Sequence, residues 1–199
     1  MNLYNTFLAL LFMSLSIAQE SPSSNLPYAA IPAYPKEYTS GTVVSRMIDG
    51  LGFRYYWATE GLKPKDLAYK PSATGRTIEQ TLDHLYGLST VIYNSAIKEV
   101  NDRTSPLKQP STFEEKRRKT LVNLKKASEI FLDTKDLGEH MVVFKSDKGT
   151  SENPFWNQIN GPIEDAIWHS GQIVMMRRAS GNPIDSGVNV FMGIRKIDK

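Results

Sequence analysis

A carboxylate and an imidazole lie four positions apart in the stretch EDAIWHSGQI, residues 164–173. They belong to Asp165 and His169, and Gln172 follows within the next turn. Each helical residue turns about 100°, so the pair is separated by about 40° and lies beside apolar neighbours. Helical zinc motifs use the same spacing to stack two ligands on one face. The pattern fits half of a metal site, or a polar patch whose groups are satisfied by hydrogen bonds.

His84 is the residue that the sequence offers as a third ligand. The chain has three histidines and no cysteine, so disulfides and thiolate metal ligands are excluded. On a helical wheel His84 shares an apolar face, whereas Asp83 is expected to point outwards. His140 is expected in a loop without a partner at ligand spacing. His84, Asp165 and His169 are therefore the candidate ligands of a metal site that would leave coordination positions for water or substrate, and a set of hydrogen-bonded core residues is the alternative.

Four helical segments would have to position these residues. The first, about residues 40–60, carries apolar residues at three- and four-residue steps. The second begins at Thr77 and the third at Thr112, each with a capping-box partner three residues later. The fourth covers about residues 162–179 and follows a long irregular segment, about residues 138–160. Four helices with little strand predict an all-α protein, a four-helix bundle with a long loop before the last helix.

Three further segments carry expectations that the structure can test. The basic run KRRK, residues 116–119, is expected to be solvated rather than to bind nucleic acid. Phe155 and Trp156 lie in the irregular segment and would either anchor it to the core or line a binding site. The tail VNVFMG, residues 188–193, is expected to pack across the bundle as an extended segment.

Composition bounds the remaining possibilities. The chain has 199 residues, of which 40% are hydrophobic and 23% are charged, as expected for one globular domain with a single core. The formal net charge is only +3, so the composition calls for neither a nucleic acid nor an anionic membrane as partner.

The first residues predict export. Residues 1–18 contain a short apolar run that ends in Ser16-Ile17-Ala18, which is typical of a signal peptide and too short for a membrane span. An uncleaved N-terminal anchor is the alternative. Residues 19–36 are rich in proline and serine and predict an extended leader, which leaves 37–199 as the domain. The mature protein is expected in the periplasm or outside the cell, without a stable membrane span.

The two segments that carry the predicted ligands resemble the DinB-like family of metal-binding four-helix bundles. The segments are TIEQTLDHLYG, residues 77–87, and AIWHSGQIVMMRRASG, residues 166–181. The resemblance extends over about residues 36–193 and implies an up-down-down-up helix order. It also implies a divalent metal held by a histidine on the second helix, matching His84, and by a four-residue pair on the fourth helix, matching Asp165 and His169.

The resemblance departs from the family pattern at one ligand. The usual pair is His-x-x-x-His, and this chain has Asp165 in the first position. A carboxylate makes the site harder, so zinc is the first expectation, and nickel, manganese or iron are alternatives.

Two classes of function follow from the resemblance. One is a metal-dependent thiol S-transferase or hydrolase acting on a small-molecule substrate, with Gln172 orienting a ligand. Aromatic side chains would then line the mouth of the site or simply pack in the core: Tyr55 or Tyr56, Trp57 and Trp156. The other class is a non-catalytic module of the cell envelope that binds a metal or a small ligand. Members of the family are often dimers, so a homodimer is possible.

Overall fold

A computed structural model describes residues 26–196, and the chain in this range is mostly helical. The long helices are α1 (Ser40–Thr59), α3 (Ile78–Ala96), α4 (Phe113–Leu132) and α6 (Glu164–Ala179), and the short ones are α2 (Pro64–Leu67) and α5 (Trp156–Gln158). The predicted signal peptide, residues 1–18, lies outside the described residues. None of the helices described between residues 26 and 196 is long and apolar enough to cross a membrane.

A small sheet accompanies the helices, so the prediction of an all-α protein is incomplete. Its strands are β1 (Asn101–Asp102), β2 (Val142–Ser146) and β3 (Gly149–Asn153). β1 pairs with β2 in parallel, and β2 pairs with β3 as an antiparallel hairpin. Both strands of this hairpin lie in the segment of about residues 138–160, where the polar stretch that becomes β3 lacks the apolar alternation that identifies a strand.

The chain ends in a second hairpin rather than in the single extended segment expected from VNVFMG. β4 (Val188–Asn189) and β5 (Ile194–Arg195) pair antiparallel. Phe191, at the turn between them, is largely exposed to solvent. The sequence predicted that this tail packs across the bundle as an extended segment, but the tail forms a hairpin whose Phe191 side chain is exposed.

Each long helix contributes apolar residues to one core. α1 and α4 run antiparallel, because the Ser45 and Ser128 hydroxyls meet at 2.9 Å and Arg117 Nε donates to Thr59 Oγ1 at 2.9 Å. Side chains that are fully or almost fully buried between the helices include Ile48, Leu51, Leu82, Leu85, Leu121, Leu124 and Ile173.

α3 and α4 run parallel, and polar contacts between them set their register. Lys116 pairs with Asp83, and Asn123 Nδ2 donates to Ser89 Oγ at 3.3 Å further along both helices. Lys116 and Arg117 are both buried, so the expectation that the basic run 116–119 is solvated is wrong for its first half. Asp83 likewise faces α4 instead of pointing freely outwards. Lys116 and Asp83 are partners on two different helices, and a helical wheel of either helix alone cannot show such a pair.

Residues 26–36, the second half of the predicted leader, lie against the helices. The Tyr28 hydroxyl donates to Asp49 Oδ1 at 2.9 Å, and its ring covers Gly52 so closely that a Cβ there would lie 2.4 Å from it. The backbone N–H of Ile31 donates to the Gly193 carbonyl at 2.8 Å. This segment therefore joins α1 to the C-terminal hairpin.

The entry to α6 contains a widened helical turn. The sequence places the helix start near Pro162, whereas helical structure begins at α5 and passes through a π-helical turn, Ile159–Ile163, before α6. Pro162 has no backbone N–H to donate, which favours such a local departure from α-helical bonding. Upstream of this turn, Phe155 is buried with its ring 5.2 Å from that of Phe131, so it anchors the segment to the core.

Candidate metal centre

The structure brings together the three residues that the sequence predicts as ligands. His84 lies on α3, and Asp165 and His169 lie one turn apart on α6. His84 Nε2 is 3.1 Å from Asp165 Oδ2, and His169 Nε2 is 3.3 Å from Asp165 Oδ1. One donor atom from each residue lies within 4.8 Å of the other two. These residues form a group that could hold a metal ion.

The spacing of these atoms matches what a small cation requires. Two ligands of a tetrahedral zinc ion lie about 3.3 Å apart when each bond is about 2.0–2.1 Å long. Both histidine–carboxylate separations lie close to this value. The two imidazole rings are nearly perpendicular, at 88°, with 4.7 Å between their centroids. The two separations end on different oxygens of the carboxylate, and the donor atoms of all three residues lie within 4.8 Å of one another.

Gln172 decides which nitrogen of His169 is free to bind. Its Oε1 lies 2.8 Å from His169 Nδ1. An amide oxygen only accepts hydrogen bonds, so the proton of this contact belongs to Nδ1, and in a neutral ring Nε2 then presents a lone pair. That lone pair faces the Asp165 carboxylate, which is also an electron-pair donor. Two such groups repel each other unless a proton or a metal ion lies between them.

Neighbouring core residues hold the ligand-bearing helices in position. Leu82 and Leu85 on α3 are buried on either side of His84. Ala166 and Ile173 on α6 are buried beside the Asp165–His169 pair.

The three ligands remain accessible from solvent. The exposed fractions of the side chains are 35% for His84, 36% for Asp165 and 15% for His169. A cleft of about 850 Å³ opens onto the two histidines, a volume within the range of small-molecule sites. Its walls are mostly apolar and include Trp168 and Met175 of α6. The arrangement can admit water or a small ligand to the free side of a bound cation.

The aromatic residues expected at the mouth of the site lie elsewhere. Tyr55 and Tyr56 are buried in the core, and neither they nor Trp57 and Trp156 line this cleft. Trp168 takes that place instead. It precedes His169 directly in the sequence, but only the structure shows that it is exposed and lines the cleft.

His140 shows how a structural histidine differs from the candidate ligands. It is buried, its Nδ1 lies 3.1 Å from the Ser95 carbonyl, and its ring packs edge-on against Phe131. Its Nε2 lies 3.4 Å from Thr134 Oγ1. Both nitrogens of His140 have partners within the fold.

Three features define the candidate site. They are three convergent donor atoms, the contact of Gln172 Oε1 with one imidazole, and an open cleft above them. In comparisons with protein-family models, curated proteins and solved structures, nothing matches this chain.

Proposed function

We propose that this protein binds one divalent metal ion through His84 Nε2, an oxygen of Asp165 and His169 Nε2. The observation that carries the proposal is the convergence of one donor atom from each residue within 4.8 Å of the other two, with Gln172 Oε1 placed 2.8 Å from His169 Nδ1. Zinc is the first candidate because imidazole and carboxylate suit it, with nickel, manganese and iron as alternatives.

We further propose a DinB-like four-helix bundle with an up-down-down-up order. Support comes from the antiparallel α1–α4 contacts and the parallel α3–α4 contacts given above. The ends of α1 and α6 also meet, because Arg177 Nη1 donates to the Ala58 carbonyl at 3.0 Å. This order would place α3 beside α6, as a site shared by His84 and Asp165 requires.

The activity that we propose is metal-dependent transfer of a thiol or hydrolysis of a small substrate, in the cell envelope or outside the cell. Three protein ligands with open positions are typical of catalytic rather than structural zinc sites. A bound metal would supply Lewis-acid chemistry and favour the deprotonated form of a thiol or of water. Gln172 would keep the His169 ring oriented, and the apolar cleft walls would limit access of bulk water.

A non-catalytic binding module is the second candidate, and one observation favours it. Apart from the histidines, Arg76 is the only ionisable side chain among the described residues that line the cleft. An arginine does not act as a general base, because it stays protonated. Turnover would therefore depend on the ligands themselves or on the substrate.

Metal analysis of purified variants tests the proposal. We expect wild-type protein to bind one metal ion per chain, and His84→Ala and His169→Ala to lose it while circular dichroism shows unchanged helicity. His140→Gln serves as the matched control, since it alters a histidine outside the site, and it should keep full occupancy. Full occupancy in His169→Ala would contradict the proposal. A screen for thiol conjugation and ester hydrolysis on metal-bound protein then separates the enzyme from the binding module.

A further inference from the structure

Arg76 provides a positive charge in the cleft above the three ligands. It lies in the loop between α2 and α3, directly before Thr77, the N-cap residue of α3. The loop is held on both sides: the Gly75 N–H donates to Ser72 Oγ at 3.0 Å, and Thr77 Oγ1 accepts from the Gln80 N–H at 3.1 Å. The backbone of Arg76 is therefore fixed at the rim of the cleft.

The guanidinium of Arg76 has no hydrogen-bond or ion-pair partner within residues 26–196. Most other arginines of the described chain do have such partners or lie over aromatic rings: Arg46, Arg54, Arg103, Arg117, Arg177, Arg178 and Arg195. Arg118 also lacks a partner in this range, but it lies on α4 and does not line the cleft. Arg76 thus combines a free charge with a place in the candidate site.

The wall formed by α6 offers a broad apolar surface. Trp168 is 71% exposed and Met175 is 61% exposed, and both line the cleft. They are seven residues apart, so they lie on the same side of the helix within about 20°. Large apolar groups that remain this exposed beside one another indicate a surface that a ligand covers.

Charge selects the ligand class for this surface. A bound divalent cation would carry more positive charge than the single negative charge of Asp165 neutralises, and Arg76 adds a further positive charge. No carboxylate other than Asp165 lies at the site among the residues described there. An anion is therefore favoured over a neutral or cationic molecule of similar shape.

We propose that the cleft binds an organic anion with a flat apolar body. Its carboxylate or sulfonate would pair with the Arg76 guanidinium, and its body would pack on Trp168 and Met175, with the rest of the molecule directed towards His84 and His169. This names the ligand class of the proposed metal site and rests on that site for part of the positive charge.

A pair of fluorescent probes that differ in charge tests the proposal. They are 1-anilinonaphthalene-8-sulfonate and its uncharged analogue N-phenyl-1-naphthylamine, titrated into the full-length purified protein. For Arg76→Glu we expect about tenfold weaker binding of the sulfonate and less than a threefold change for the neutral probe, because only the sulfonate loses a charge-assisted hydrogen bond. Arg76→Lys should retain most of the sulfonate affinity.

Two further variants locate the effect. Trp168→Ala should weaken both probes by about the same factor, because it removes apolar surface and leaves the charge in place. Arg118→Glu makes the same change in net charge outside the cleft and should leave the ratio of the two affinities unchanged. Equal losses of both probes in Arg76→Glu, or an equal loss of the sulfonate in Arg118→Glu, would overturn the proposal.

Metal content measured on the same samples separates this inference from the proposed function. If wild-type protein holds metal and Arg76→Glu leaves the preference for the sulfonate intact, the anion site is wrong and the metal site stands. If wild-type protein holds no metal but Arg76→Glu still removes that preference selectively, the anion site stands on Arg76 and the metal site is wrong.

Discussion

The two ends of α6 carry polar clusters of opposite character. Near the C-terminus, Arg177 is buried and donates hydrogen bonds to the carbonyls of Trp57, Ala58 and Asn182 at 2.7–3.0 Å. Near the N-terminus, Asp165 and His169 are partly exposed, and His169 Nε2 lies 3.3 Å from Asp165 Oδ1. One cluster is closed by hydrogen bonds within the protein, whereas the other gathers three potential metal-binding atoms within 4.8 Å of one another.

Asp66 completes the cluster at the C-terminal end. Burial alone would raise the pKa of its carboxyl, but hydrogen bonds from Ser180, Asn182 and the Lys63 N–H together hold that pKa below its ordinary value. Both oxygens of the Asp66 carboxylate thus accept hydrogen bonds from the protein. The comparison teaches that a cluster of polar side chains indicates a ligand site when the protein leaves their bonding incomplete, and a structural role when the protein completes it.

The largest expected effect concerns stability at the closed end. Arg177→Met should lower the free energy of unfolding by about 3–5 kcal/mol, because it leaves the buried carbonyls of Trp57 and Ala58 without donors. Urea denaturation followed by circular dichroism measures this loss. Arg178→Met is the matched control: Arg178 is exposed, and the change should stay within about 0.5 kcal/mol. Equal effects of the two substitutions would remove the distinction between the two ends of α6.

A smaller effect is expected on metal affinity at the open end. Gln172→Leu should weaken binding about 10- to 100-fold, because His169 loses the acceptor that fixes its tautomer and ring orientation. Isothermal titration with zinc measures the change. Gln172→Glu keeps an acceptor and should bind at least as tightly as wild type. If the leucine variant binds zinc with wild-type affinity, Gln172 does not orient the ligand.

The smallest effect is expected from Asp165→Asn in metal-free protein. Asp165 is 36% exposed, and a partly exposed contact such as that with His84 contributes about 0–1 kcal/mol, so the free energy of unfolding should change by less than about 1 kcal/mol. The same urea experiment, run with a chelator, measures it. A loss as large as that of Arg177→Met would mean that Asp165 is a structural residue like those at the closed end.

Local patterns in the sequence were enough to predict the four long helices. Thr77 and Thr112 were identified as N-caps, and both accept the expected backbone hydrogen bond, from Gln80 and Glu115 respectively. The reciprocal bond forms only at Thr77, because the Glu115 carboxylate accepts from the Ser111 N–H instead. Because capping depends on residues within one helical turn, the starts of these helices can be predicted from the sequence.

Features that depend on distant partners were not predicted. The ion pair between the buried Lys116 and the partly exposed Asp83 joins two helices, and the contact of β1 with β2 joins segments about forty residues apart. The three candidate ligands were found because two of them lie on one helix and His84 lies on the inner face of another. Arg76 and Trp168 were missed, since their importance comes from a cleft that no single segment forms.

The π-helical turn between Phe155 and Asp165 makes the length of this segment matter as much as its composition. Phe155 is fixed in the core on one side, and the carboxylate must reach the imidazoles on the other. A widened turn takes up one additional residue, and each residue rotates a helix by about 100°. Insertion or deletion of a single residue here would rotate Asp165 away from His84 and His169, although the helix would still form. The geometry of the site therefore depends on the number of residues in this segment as well as on their chemistry.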